Sequence, residues 1–157
     1  MKKLFSTLVV FLLCAMTLSI AFADGSSTAD PYYTDEFTVE YNADPVGNYN
    51  FLNTPTFKVS SVDTGKIKVS LYASTNETMQ KLGFTSLKVQ RWNGTSWVTD
   101  EEVTNQYSYN TNAFNYTNIF TGLYSGYQYR VRVTLRARRV PGEVQDLTIT
   151  SDSIICH

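Results

Sequence analysis

Six strand-like positions and one further arginine carry the residue types best suited to recognition: Lys88, Gln90, Trp92, Trp97, Arg130, Arg132 and Arg136. Their alternation puts them on one side of whatever strands contain them. Indole and guanidinium attract each other by roughly 0.5–2 kcal/mol depending on desolvation, and tryptophan beside arginine is typical of binding patches. These seven residues form the candidate binding face. The competing reading is a cation–π ladder that covers its own sheet and discourages edge pairing.

Other residue groups suggest weaker chemistry. Tyr107, Tyr109, Tyr116, Tyr124 and Tyr127, five of eleven tyrosines, lie close together in sequence, with Asn105, Gln106 and Asn110 nearby. A phenol ring stacks on the apolar side of a pyranose while amides meet its hydroxyls; tyrosine is equally a favoured strand residue. Asp63-Thr64-Gly65 matches the aspartic protease triplet, but that chemistry needs two carboxylates sharing a proton. The triplet has no second copy and reads better as a β-turn. Asp100-Glu101-Glu102 is an acidic run that calcium, with its six to eight oxygen ligands, would need to supplement, and it reads as a solvated loop. His157 is the single histidine, which leaves little for histidine-based acid, base or nucleophilic catalysis. The expectation is a protein that is not an enzyme, with no catalytic, cofactor-binding or metal-binding residue. Three matches to the glycosylation sequon lie at Asn76, Asn93 and Asn115; in a bacterial protein such matches are usually coincidence.

Charge and hydropathy at the N-terminus lead us to expect this surface outside the cell. Lys2 and Lys3 precede an apolar run from residue 4 to residue 20, and Ala21-Phe22-Ala23 supplies the small-x-small pattern of a signal-peptidase site. Residues 1–23 are expected to be a signal peptide cut after Ala23, the alternative being an uncleaved anchor. Of 157 residues, 23 would leave, so 134 remain with 11 of the 13 Lys and Arg and all 14 Asp and Glu. The mature chain is mildly acidic, secreted or attached to the cell surface, and has no membrane segment after cleavage. Its one cysteine, Cys156, reads as a thiol in a frayed tail or as the link of a disulfide-bonded dimer. Five of six arginines fall within residues 130–139, whereas residues 24–63 carry seven acids and one lysine. The two ends are expected to attract each other. Nucleic acid is not an expected partner of a net-negative secreted chain; an extracellular protein or a glycan is.

The elements that must hold these residues read as strands. Residues 24–53 form a polar N-terminal segment with one extra strand over 36–41 and turns at Asp44-Pro45 and Val46-Gly47. From residue 54 to residue 157 the period is two. Phe57 and Val59 lie in one strand, and Ile67, Val69, Leu71 and Ala73 in the next, around the turn at Asp63-Thr64-Gly65. A strand over 87–92 meets Asn93-Gly94 and continues over 95–98, the pattern of a two-residue hairpin. That turn pairs Trp92 with Thr95, Gln90 with Trp97 and Val89 with Val98, putting both valines in the core and both tryptophans on the other face. Further strands cover 114–120, 129–137 and the region of Leu147 and Ile149, and only 77–82 offers a helical turn. The expected class is all-β, an antiparallel immunoglobulin-like β-sandwich of about seven strands.

The run Leu123-Tyr124-Ser125-Gly126-Tyr127-Gln128-Tyr129-Arg130-Val131-Arg132-Val133 resembles the corner between strands E and F of fibronectin type III domains, where a leucine is followed six residues later by tyrosine and then by alternating valines. The resemblance extends loosely over residues 54–153. It implies a structural tyrosine corner formed by Leu123 and Tyr129, whose hydroxyl returns to nearby backbone. Ser125 stands where the family usually has proline, and Leu71 where its strand B tryptophan would be. It also implies that the strands holding Trp92 and Arg130 are neighbours. The whole chain is similar to small secreted proteins of Gram-positive bacteria, a likeness that carries no activity with it. The functional expectation is a non-catalytic extracellular module that binds a protein or has a structural role. The alternatives are a carbohydrate-binding protein using exposed Tyr and Trp, or a small hydrolase or enzyme inhibitor.

Overall fold

The computed structural model describes residues 30–41 and 50–157. Within them lie eight strands and no helix: β1 (Tyr33–Thr34), β2 (Phe37–Tyr41), β3 (Thr56–Asp63), β4 (Lys66–Trp92), β5 (Trp97–Thr121), β6 (Gln128–Arg138), β7 (Val144–Ser151) and β8 (Ile154–Ile155). The protein is all-β, and every strand pairing is antiparallel. The signal-peptide expectation and the turns at Asp44-Pro45 and Val46-Gly47 lie outside the described residues.

The β4–β5 ribbon organises the sheet. The first half of β4 lies between β3 and the end of β5, with Phe57↔Leu71 and Val69↔Asn118 opposite. Its second half lies between the start of β5 and β6, with Lys88 opposite both Glu102 and Arg132. Register breaks between Ser74 and Met79 let this long strand bend while each half keeps an apolar side. Ile67, Val69, Leu71 and Ala73 from the first half join Leu82, Phe84, Leu87 and Val89 from the second in one buried core. Phe84 meets Phe114 and Tyr116 edge-on, at 5.9 and 4.9 Å between ring centres. Tyr129, Val131, Val133, Leu135 and Ala137 of β6 complete that core.

The expected β3–β4 hairpin forms, and its turn explains Asp63. The Asp63 carboxylate accepts from the Thr64 N–H and from Lys66 Nζ, at 2.8 and 2.7 Å. These contacts, Lys66 first, hold its pKa below the ordinary carboxylate value. The N-terminal segment extends both margins: β1 pairs with β3 and β2 pairs with β7. The expected attraction between the acidic and basic ends takes shape there, where Arg132 donates to Glu40 Oε2 at 3.0 Å.

Three expectations are corrected. The hairpin after Trp92 has four loop residues, Asn93 to Ser96, and pairs Trp92 with Trp97 and Arg91 with Val98. Asn93 Oδ1 accepts from the N–H groups of Thr95 and Ser96, so the asparagine side chain organises a longer loop instead of entering a two-residue turn. Val98 therefore lies on the surface while Val89 is buried. Residues 77–82 continue β4 and form no helical turn. Cys156 is completely buried, not frayed. Its N–H donates to the Tyr127 carbonyl and its carbonyl accepts from the Gly126 N–H. A disulfide to a second copy would require this segment to be pulled away.

Candidate functional site

The strands bring most of the candidate face together. Gln90 and Arg130 are opposite across β4 and β6, as are Lys88 and Arg132. Trp92 and Trp97 face each other across the hairpin, with ring centres 5.4 Å apart and planes inclined by 55°. The Arg130 guanidinium lies 4.5 Å from the centre of the Trp97 ring and donates through Nε to Gln90 Oε1 at 3.0 Å. Gln90 in turn donates to Thr99 Oγ1 at 3.4 Å. Burial, and then the positive charge of Arg132, pull the Arg130 pKa below its ordinary value.

The remaining members are held by carboxylates. Lys88 lies 3.7 Å from Glu102, and Arg132 binds Glu40. Arg136 grips Asp146 with two nitrogens. Six residues along β6 from Arg130, or about 20 Å at strand spacing, it belongs to a different part of the sheet. The compact cluster is thus Gln90, Trp92, Trp97 and Arg130, with Lys88 and Arg132 on its flank.

A second aromatic–guanidinium group lies at the same end of the sheet but on its other face, since Arg91 is opposite the buried Tyr129 whereas Gln90 is opposite Arg130. Val89 pairs with Glu101 and Gln90 with Thr99, which leaves Asp100 as an extra residue in β5. A bulge re-aims a side chain, and here the Asp100 carboxylate accepts from Arg91 Nε at 2.8 Å, Arg91 Nη2 at 3.3 Å and the Tyr129 hydroxyl at 2.8 Å. The bond to Asp100 raises the Arg91 pKa. The same guanidinium lies 4.5 and 5.2 Å from the ring centres of Tyr124 and Tyr127. Those two rings meet edge-on and remain exposed.

Tyr129 is wholly buried and its hydroxyl accepts from the Tyr124 N–H at 3.0 Å, with Leu123 buried nearby. Burial pushes the phenol pKa far up, and the bond to Asp100 adds to this. It remains a neutral donor at any ordinary pH. Arg91, Asp100, Tyr124 and Tyr127 did not emerge as a group from the sequence. Only a correct loop length and the bulge at Asp100 would have placed the acidic run against Arg91. Two of its three acids are engaged, Asp100 by Arg91 and Glu102 by Lys88, and the run lies within a strand, not a loop.

No protein-family model matches the chain, and no curated protein matches it significantly.

Proposed function

We propose that the chain is a non-catalytic, secreted or cell-surface module of the fibronectin type III kind, which binds an extracellular protein through the end of the sheet carrying Trp92, Trp97 and Arg130. The observation that carries this reading is the presence of two aromatic–guanidinium stacks at one end of the sheet, one on each face: Arg130 of β6 over Trp97, and Arg91 of β4 against Tyr124, Tyr127 and Asp100. Rings held by charged partners offer a broad contact area with little side-chain entropy left to lose, which is how hot-spot residues act. The fibronectin-type reading is supported by the pairing order, β3–β4–β5 in one group and β5–β4–β6–β7 in the other, and by the hydroxyl of Tyr129 on the Tyr124 N–H. Secretion rests on Lys2, Lys3, the apolar run and Ala21-Phe22-Ala23.

The test is capture of envelope proteins by the chain and by a Trp97→Ala, Arg130→Glu variant whose thermal unfolding is recorded alongside. Loss of a specific captured protein with folding retained is the expected result; identical capture by both proteins overturns the reading. N-terminal sequencing of the exported protein should begin at Asp24, and a first residue of Met1 overturns the cleaved form.

A further inference from the structure

The opposite end of the same outer face holds positive charge that has no carboxylate partner among the described residues. Arg138, near the end of β6, is directly opposite Lys81 of β4. Its Nε is buried with no hydrogen-bond partner, and among the described residues its side chain makes no ion pair. Buried polar groups almost always have partners, so an orphaned guanidinium nitrogen needs a reason. Lys81 pairs with no carboxylate among the described residues either; its ammonium lies 3.6 Å from the centre of the Tyr107 ring. The acids within reach are committed: Asp146 to Arg136, and Glu77 and Glu143 to Arg139.

The local backbone explains how the phenol comes to stand among these cations. Gly83 has no side chain, and β5 closes over it so tightly that a Cβ there would lie 2.0 Å from the Gln106 carbonyl oxygen. Asn105 and Asn110, both with positive φ, bend β5 on either side of this contact, a geometry asparagine tolerates better than most residues. Tyr107 is thereby brought within the electrostatic influence of Arg136, Asp146, Tyr109 and Arg138, and burial raises its pKa. Tyr109, opposite Lys81 in register, is 63% exposed.

We infer that Lys81, Arg138, Tyr107 and Tyr109 form a binding site for an acidic sugar, a pyranose carrying a carboxylate or a phosphate. Lys81 and Arg138 supply two uncompensated positive charges for the oxyanion, with the guanidinium providing the charge-assisted donors. The Tyr107 hydroxyl is a further donor, and the exposed Tyr109 ring provides the platform on which the apolar side of the pyranose stacks. A simple inorganic anion would use the charges but not the ring. This inference is independent of the protein-binding reading, because its residues lie at the far end of β6 from Trp97.

The test is equilibrium binding of the full chain at about 0.15 M salt, where long-range attraction is screened, to polygalacturonate, phosphomannan, neutral mannan and poly-L-glutamate. Variants Arg138→Gln, Lys81→Gln and Tyr109→Ala are compared with Lys58→Gln, Lys68→Gln, a pair of lysines on the outer side of β3 and β4. Binding of polygalacturonate or phosphomannan is expected, and the one retained identifies the acid. Loss of about tenfold or more is expected in Arg138→Gln and Lys81→Gln, and of severalfold in Tyr109→Ala, with the lysine pair unchanged. Tyr109 is surface-exposed, so its variant remains informative if the other two lose stability. Equal binding of poly-L-glutamate or neutral mannan, an equal loss in the lysine pair, or no binding of either acidic glycan would overturn the inference.

Discussion

Arg130 and Arg138 leave β6 on the same side, eight residues apart, and meet opposite surroundings. Arg130 has an indole face and an amide oxygen, whereas Arg138 has a buried Nε with no acceptor. Between them, Arg132 and Arg136 are neutralised by Glu40 and Asp146. A strand that reads as a uniform basic stripe is therefore graded: one end stacked on aromatics, a neutral middle, and a cationic far end. Clustered charge measures availability poorly, since the neighbouring strands decide which guanidinium groups already have partners. The two ends also differ in support. The Trp97 end is backed by the C-terminal segment, where the N–H of Cys156 donates to the Tyr127 carbonyl. The Arg138 end depends on the close contact of β5 with Gly83.

The strongest way to separate the ends is to attack that contact. Gly83→Ala places a methyl group where the Gln106 carbonyl lies, and backbone cannot swing aside as a side-chain tip would. The expected cost is about 3 kcal/mol or more in urea unfolding, with glycan binding lost first. A cost under about 1 kcal/mol would show that β5 does not sit as tightly there as the geometry requires. At the other end, Tyr129→Phe removes the donor to Asp100 and the acceptor for the Tyr124 N–H while keeping the ring. About 1–3 kcal/mol should be lost, together with order in the Tyr124–Tyr127 loop. An unchanged unfolding midpoint would show that the hydroxyl contributes nothing to the corner.

Cys156 gives a smaller and more selective reading of the same end. Burial raises its thiol pKa, outweighing the opposing effects of Ser61 and the backbone of Gly65 and Lys66. A group whose pKa is raised by folding stabilises the fold below its unfolded value and loses that contribution as pH rises through the folded value. Stability should therefore decline above the ordinary thiol pKa of about 8.5, and Cys156→Ser should flatten that decline. Modification by an aromatic disulfide should follow unfolding; rapid labelling of the native protein would mean that the segment behind Tyr127 opens easily.

The sequence made the strands legible where one side is buried and the other wet. β6 alternates without interruption, so period two alone puts Tyr129, Val131, Val133, Leu135 and Ala137 on one side, the side that is buried, and does the same for Phe57 and Val59 in β3. The failures occur where local chemistry shifts the register. Asn93-Gly94 signals a tight turn, yet Asn93 Oδ1 bonds two following amides and lengthens the loop. The bulge at Asp100 then sends an apparently solvated acid to Arg91 and Tyr129. Ion-pair partners were also hidden, because Glu40 lies 92 residues before Arg132 and Asp146 lies ten after Arg136. Period two can assign an arginine to the outer face, but only the finished sheet shows which acid stands opposite.

The finest distinction lies in the neutral middle of β6. Arg132 and Glu40 are an exposed pair, so Arg132→Gln should cost at most about 0.5 kcal/mol; Arg136 grips the less exposed Asp146 with two nitrogens, and its loss should cost about 1 kcal/mol. The larger consequence of Arg136→Gln concerns its neighbour. Asp146 is opposite Arg136, and Val144 is opposite Arg138, so Asp146 and Arg138 are diagonal neighbours, a separation long side chains span. Once released, the Asp146 carboxylate should swing to Arg138 and supply the acceptor that it lacks. Acidic-glycan binding should then weaken in Arg136→Gln and recover in the Arg136→Gln, Asp146→Asn double variant, although the double variant has the same formal charge as the parent protein. Arg132→Gln, which removes the same single charge from the face, should leave glycan binding within about twofold. Equal weakening by both glutamine variants would mean that total charge, not the vacancy at Arg138, governs the site.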